Sequence, residues 1–209
     1  MNTEIVPLQR MYIEAAAALL ARAFFDDPLT LFTMPDAGER ALALPRLMRA
    51  ALLNGLDSGV VQANQGLPEG VATWMLPESL AQSLTLPENS PTTIGRVTDA
   101  LGTESFRRMS LARDALYERQ LADVGVEHWH LNIIGVDPLL QRSGLGGRLL
   151  APTLAIADGS GMPCYLETYR EENLAFYRKH GFEVVSTARL PEDGPRFWTM
   201  LRPSLTLRA

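Results

Sequence analysis

The stretch that most constrains this chain runs from residue 131 to residue 150, Leu-Asn-Ile-Ile-Gly-Val-Asp-Pro-Leu-Leu-Gln-Arg-Ser-Gly-Leu-Gly-Gly-Arg-Leu-Leu. An apolar run reads as a strand, Pro138 sits in a short arm, and Gly144, Gly146 and Gly147 open a helix. Glycines at a helix start leave the first backbone N–H groups uncovered, and the helix dipole there favours an anion. The stretch is a candidate phosphate cradle.

Two phosphate-binding motifs compete for it. A mononucleotide loop needs Gly-Lys-Ser or Gly-Lys-Thr after the turn, whereas Gly147 is followed by Arg148-Leu149. A dinucleotide fingerprint would use Gly144 and Gly146, with Glu167 near the place of the ribose-binding acid. Leu149 stands where its third glycine belongs, and the arm from 136 to 144 is long for so tight a turn.

A chain of 209 residues with 46% hydrophobic content builds one sizeable core, so one domain over 1–209 is expected. A net charge of −5 argues against a general nucleic-acid or anionic-membrane surface. Residues 1–9 lack a charged segment leading into an apolar run, and no window reaches membrane-spanning length, so a cytoplasmic protein is expected. Cys164 is the only cysteine, which rules out an intrachain disulfide.

In chain order, 4–8 reads as a strand and 11–25, rich in Ala and Leu, as a helix ended by Asp26-Asp27-Pro28. Residues 38–56 read as a helix with Leu42, Leu47, Ala51 and Leu52 near one face, Pro45 in its first turns and Asn54-Gly55 at its end. Strands are expected at 59–63 and 71–75, joined by a hairpin loop. Residues 76–89 lose periodicity and read as loop with a short helix, a lid candidate, and 94–122 as a helix interrupted by Gly102. Then come strand 128–136, helix 144–157 with a kink expected at Pro152, strand 164–168, helix 173–180, and strands 182–190 and 197–201. Strands alternating with helices, closed by an antiparallel hairpin, predict an α/β fold with a mixed sheet and its ligand where neighbouring strands diverge.

The motifs resemble those of the GNAT acetyltransferases. Gln141-Arg142-Ser143-Gly144-Leu145-Gly146 fits that family's Gln/Arg-x-x-Gly-x-Gly/Ala signature, preceded by Gly135-Val136-Asp137-Pro138. Further on, Asn173, Tyr177 and Gly181-Phe182 match its second hallmark in the right order. The resemblance spans about residues 3 to 203. Within the family it looks closest to puromycin N-acetyltransferase-like members, through runs such as Ala23-Phe24-Phe25-Asp26-Asp27-Pro28, Leu166-Glu167-Thr168 and Pro191-Glu192-Asp193-Gly194-Pro195.

The resemblance implies a mostly antiparallel mixed sheet, splayed at its middle strands and flanked by helices, and acetyl-CoA as co-substrate. The pyrophosphate would lie on backbone N–H groups of Arg142, Ser143, Gly144, Leu145, Gly146 and Gly147, after Gln141. Pantetheine would run along Ile134, Gly135 and Val136, where a backbone N–H also faces the thioester carbonyl. Asn173 would hold pantetheine or a water, and Tyr177 would serve as general acid toward the departing thiolate. On the residues alone, packing on the sheet is the favoured reading of Phe176 and Tyr177, and the resemblance reverses it for Tyr177.

The general base stays open. Alternation puts His128, His130 and Asn132 on one strand face, and His130 stands six residues before Val136, where several family members carry a catalytic group. Glu167, ending the next strand, is the rival, and a cap or an ion pair with Arg170 or Lys179 is its structural alternative. His128, His130 and Cys164 lack a fourth ligand at sensible spacing, so no metal is expected. The implied partner is a small-molecule amine, with the protein a monomer or homodimer. Asp26 or Asp27 could attract a cationic amine, and Phe24, Phe25, Trp74, Trp129 and Phe197 offer apolar walls. A non-catalytic CoA-binding protein is the alternative.

Overall fold

The computed structural model describes residues 4–77 and 100–204. Seven strands form one sheet: β1 (Ile5–Pro7), β2 (Gly59–Asn64), β3 (Gly70–Met75), β4 (Trp129–Val136), β5 (Cys164–Thr168), β6 (Glu183–Arg189) and β7 (Arg196–Arg202), in the order β1-β2-β3-β4-β5-β7-β6. Only β4 and β5 are parallel; every other neighbouring pair is antiparallel. The mixed, mostly antiparallel sheet expected from the sequence is present.

Helices cover both faces. Against one lie α1 (Ile13–Phe24) and α3 (Ala37–Ser58), with α2 (Pro28–Thr33) between them in sequence. Against the other lie α5 (Leu145–Ser160) and α6 (Leu174–Lys179), whose Leu149, Leu150 and Tyr177 join Trp74, Leu131 and Leu166 in one buried cluster. The helix α4 (Thr103–Asp123) packs near the β6–β7 end, where its Ala112 meets Leu190 and Phe197.

Local chemistry explains several boundaries that differ from the expected ones. Asp27 ends α1 as anticipated, but it also caps a new helix: its Oδ1 accepts from Leu29 N at 3.0 Å, and Pro28 takes the first position, where no N–H is needed. Asp36 caps α3 through Glu39 N at 2.7 Å. Asn54-Gly55 does not end α3, which continues to Ser58. Gly55 is there for close approach, since a Cβ on it would lie 2.5 Å from Thr73 Cγ2 and 2.8 Å from Val61 Cγ2. Leu42 is 71% exposed, and the core face of α3 is instead formed by Ala43, Leu44, Leu47, Met48 and Leu52.

Pro45 lies inside α3 rather than in its opening turns, and α5 runs through Pro152 to Ser160. Gly102 is the residue before α4 and not an interruption within it. The expectations for 78–89, the bulk of the lid candidate, and for 94–99 lie outside the described residues. Among the described residues, no helix is long and apolar enough to cross a membrane.

The strand β4 carries the irregularity that shapes the site. Thr73 pairs with Ile133 and Trp74 with Leu131, so Asn132 has no opposite residue and forms a bulge. The bulge reverses the alternation: Trp129, Leu131, Ile134 and Val136 pack toward α5 and α6, while Ile133 and Gly135 turn toward α1 and α3. The simple alternation expected along this strand therefore does not extend past Asn132.

Candidate active site

The strands β4 and β5 pair over three positions only, Trp129↔Cys164, His130↔Tyr165 and Leu131↔Leu166. Beyond Leu131, β4 continues to Val136 beside β3, while Glu167 and Thr168 continue β5 beside β7. The sheet therefore opens into a V, and residues 132–136 of β4 have no β5 partner. An unpaired strand edge offers backbone donors and acceptors to an extended ligand. Ile134, Gly135 and Val136 line it. Gly135 is required by α1, because a Cβ on it would lie 2.6 Å from Leu20 Cδ2 and 3.2 Å from Phe24 Cε2.

From the open end of β4 the chain turns through a 3-10 segment at Pro138–Leu140, started by Asp137, whose Oδ1 accepts from Leu139 N at 3.1 Å. Gln141 Nε2 returns to Val136 O at 3.4 Å. Arg142 and Gly144 both take left-handed conformations, φ 63° and 82°, and Gly144 precedes the first residue of α5. The N–H groups of residues 144–147 precede the first bond of α5, Arg148 N to Gly144 O at 3.3 Å, and so have no intrahelical acceptor. The other two glycines answer a packing demand as well: a Cβ on Gly146 would lie 3.3 Å from Phe176 Cζ, and one on Gly147 would lie 3.0 Å from His180 Cε1. Leu145 contributes only its backbone, since its side chain is buried in the core.

The point where the V opens holds the two base candidates together. His130 Nε2 lies 2.7 Å from Glu167 Oε2, with both side chains nearly buried, 11% and 9% exposed. Glu167 thus pairs with His130 and neither caps a helix nor pairs with Arg170 or Lys179. Arg170 instead reaches Glu172, Asp26 O and, at 3.7 Å, Asp27. His130 Nδ1 is buried without a partner, so the Nε2–H tautomer donates to Glu167.

His128 serves the scaffold. Its Nδ1 lies 2.7 Å from Val126 O and its Nε2 2.8 Å from Gln120 Nε2, which is consistent for a neutral ring with the proton on Nδ1. Burial, with His130 adding to it, pulls its pKa down. Tyr165 lies edge-on to both histidines, with ring centres at 5.7 and 5.8 Å. Its hydroxyl donates to Asp123 Oδ2 at 3.2 Å.

Tyr177 and Asn173 stand on the other side of the opening. The Tyr177 ring packs edge-on to Phe176 and Phe182, as an ordinary core aromatic would. Its hydroxyl takes no hydrogen-bond partner among the described residues, and burial pushes its pKa well up, so it stays protonated at neutral pH. Asn173 Nδ2 donates to Thr168 Oγ1 at 3.2 Å, leaving its carbonyl oxygen for a ligand.

Two neighbours were not singled out from the sequence. Tyr169, two residues beyond Glu167, has a buried hydroxyl with no partner. Arg148 has a buried Nε with no partner, beside the cradle. Strand alternation after Glu167 and the helix position after the glycines were the available signals. Cys164 is buried in the core with its thiol pushed up to about 12 by burial, and among the described residues no cluster of three His, Cys, Asp or Glu side chains forms.

A mostly antiparallel sheet split between two parallel strands, with a glycine-started helix after the first, matches the fold of solved GNAT acetyltransferases. Residues 105–184 match the acetyltransferase (GNAT) domain family. An uncharacterized N-acetyltransferase of Schizosaccharomyces pombe is 26% identical over 195 residues, 87% of this chain and 74% of that protein. The N-alpha-acetyltransferase RimI of Mycobacterium tuberculosis is 36% identical over 78 residues, 36% of this chain and 49% of that protein. The crystal structure of histone acetyltransferase HPA2 and related acetyltransferase from Corynebacterium glutamicum superposes with a TM-score of 0.69 at 18% identity, covering 98% of this chain and 97% of that one. Residues 105–184 thus resemble a GNAT acetyltransferase domain, and the matches together support an acyl-CoA N-acyltransferase.

Proposed function

We propose that the protein transfers an acetyl group from acetyl-CoA directly to a primary amine of a small molecule. The observation that carries this reading is the Glu167–His130 pair at 2.7 Å, seated where β4 and β5 part. The co-substrate supplies an activated acetyl thioester. Residues 142–147 would hold its pyrophosphate, residues 134–136 its pantetheine amides, and Asn173 a further polar group of the arm.

An amine attacks a carbonyl only when neutral, and most amines enter protonated. Glu167 takes that proton: Oε2 is occupied by His130, and Oε1 has no partner among the described residues. The imidazole behind it steadies the carboxylate and shares the proton. The attack forms the N–C bond, the nitrogen loses its second proton to solvent as the C–S bond breaks, and Tyr177 donates a hydrogen bond to the departing sulfur and then its proton, which it regains from solvent. A phenol is a weaker acid than a thiol, so donation stabilises the thiolate first and completes the transfer last. The buried Cys164 thiol stays protonated, which argues against it as a covalent nucleophile and favours direct transfer.

The acceptor in this reading is an antibiotic-like or metabolite amine. Release of free thiol from acetyl-CoA, followed across a panel of primary amines, tests the reading. Saturable turnover with at least one amine is expected. Tight acetyl-CoA binding with no turnover on any amine would make the protein a CoA-binding module instead.

A further inference from the structure

We infer that Tyr169, together with Asp27 and Glu167, forms a receptor for the three N–H donors of a primary ammonium group, which makes this residue a determinant of acceptor specificity. The inference deepens the reading above and rests on it for the identity of the acceptor site. Tyr169 follows the last residue of β5 and stands two positions after Glu167, whose charge acts on its hydroxyl. The Tyr169 ring packs on the layer of Phe197, Phe32 and Leu29, 6.0 Å from Phe197. Asp27 is brought to this corner by the residue next to Tyr169: Arg170 lies 3.7 Å from Asp27 Oδ2 and also donates to Asp26 O.

The Tyr169 hydroxyl is the anomaly. It is buried and has no hydrogen-bond partner among the described residues, a state that costs a folded protein stability and is uncommon. Burial and the charges of Glu167 and Asp27 both push its pKa up, so it is a neutral phenol whose oxygen accepts beside two carboxylates. Asp27 is itself nearly buried, and desolvation raises its pKa against the opposing effect of Arg170, so a further cation at its side is favoured. Two carboxylates and a phenol oxygen suit a group with three donors and positive charge, which describes a primary ammonium. A hydroxyl has too few donors, a protonated N,N-dimethylamine keeps only one, and a quaternary ammonium has none. The adjoining Leu29, Phe32 and Phe197 suit an apolar stem.

The test uses the full chain saturated with CoA and measures binding of hexylamine, N-methylhexylamine and N,N-dimethylhexylamine by calorimetry, in the wild type and in Tyr169→Phe. Affinity should fall stepwise with each methyl group in the wild type. Tyr169→Phe should weaken hexylamine about tenfold or more, the usual worth of a hydrogen bond to a charged group. It should also shrink the difference between hexylamine and its N-methyl derivative, which a packing role for the hydroxyl would leave intact. Equal affinity of the three amines, or an unchanged hexylamine affinity in Tyr169→Phe, overturns the inference. Stepwise binding without acetyl transfer would instead leave the receptor standing and remove the catalytic reading.

Discussion

Asp123, at the C-terminal end of α4, offers the sharpest stability prediction because one carboxylate ties three strands to a helix. It accepts from Ser186 Oγ and Thr199 Oγ1, both at 2.6 Å, from Tyr165 Oη at 3.2 Å and from Arg119 at 2.8 Å, with its side chain 4% exposed. Asp123→Ala would strand three hydroxyls in the interior and leave Arg119 without its counter-charge. Removing one partner of such a buried charged network costs about 3–5 kcal/mol. For a domain of this size each kcal/mol shifts the melting temperature by about 2–4 °C, so a loss on the order of 10 °C is expected. Asp123→Asn keeps one acceptor oxygen and should lose about half as much.

Burial alone would raise the Asp123 pKa, but the bonds from Ser186, Thr199 and Arg119 outweigh it and hold it below the usual aspartate value. A depressed folded-state pKa contributes stability that is present above the unfolded value and lost as pH falls through the folded one. The gap between wild type and Asp123→Asn should therefore be full at neutral pH and narrow below the ordinary aspartate range. Urea unfolding followed by tryptophan fluorescence at several pH values reads both effects. A melting temperature for Asp123→Ala equal to that of the wild type would refute the network as a source of stability, and a pH-independent gap would refute its electrostatic part.

Three further outcomes concern the site. Gly135→Ala forces a methyl group to within 2.6 Å of Leu20 Cδ2, so denaturation should show a loss of about 1–3 kcal/mol. Glu167→Gln should lower kcat by about 10²–10⁴, with His130→Gln lowering it less and the double variant no worse than Glu167→Gln, which steady-state rates will show. Gly144→Val strains a left-handed backbone position and puts a side chain near Arg148, so the Kd for acetyl-CoA should rise while the apo protein stays folded.

Much of this architecture is legible from local chemistry. The glycine-started turn before α5 could be read because its glycines, its arm and its helix are contiguous, and the β2–β3 hairpin because turn residues separate two apolar runs. Contacts between distant segments were not readable in that way. The bulge at Asn132 leaves no mark in a single strand's sequence, and it decides which side chains of β4 face which helices. His130 and Glu167 looked like rivals for one role because their adjacency depends on how β4 and β5 pair. Gly55 reads as a helix stop until the sheet beneath it is known, since the same residue serves chain reversal and close packing. Gly146 and Gly147 carry both a backbone role and a packing role, and only the second requires α6 to be in place.

The measurement that bears most directly on the catalytic assignment is the pair kcat and acetyl-CoA Kd for Tyr177→Phe, taken across pH against the wild type. The ring is retained, so its packing on Phe176 and Phe182 and the affinity for acetyl-CoA should hold, while kcat should fall by about 10²-fold or more with the loss of the acid. Full activity of Tyr177→Phe at every pH would contradict the assignment and leave Tyr177 as a core aromatic.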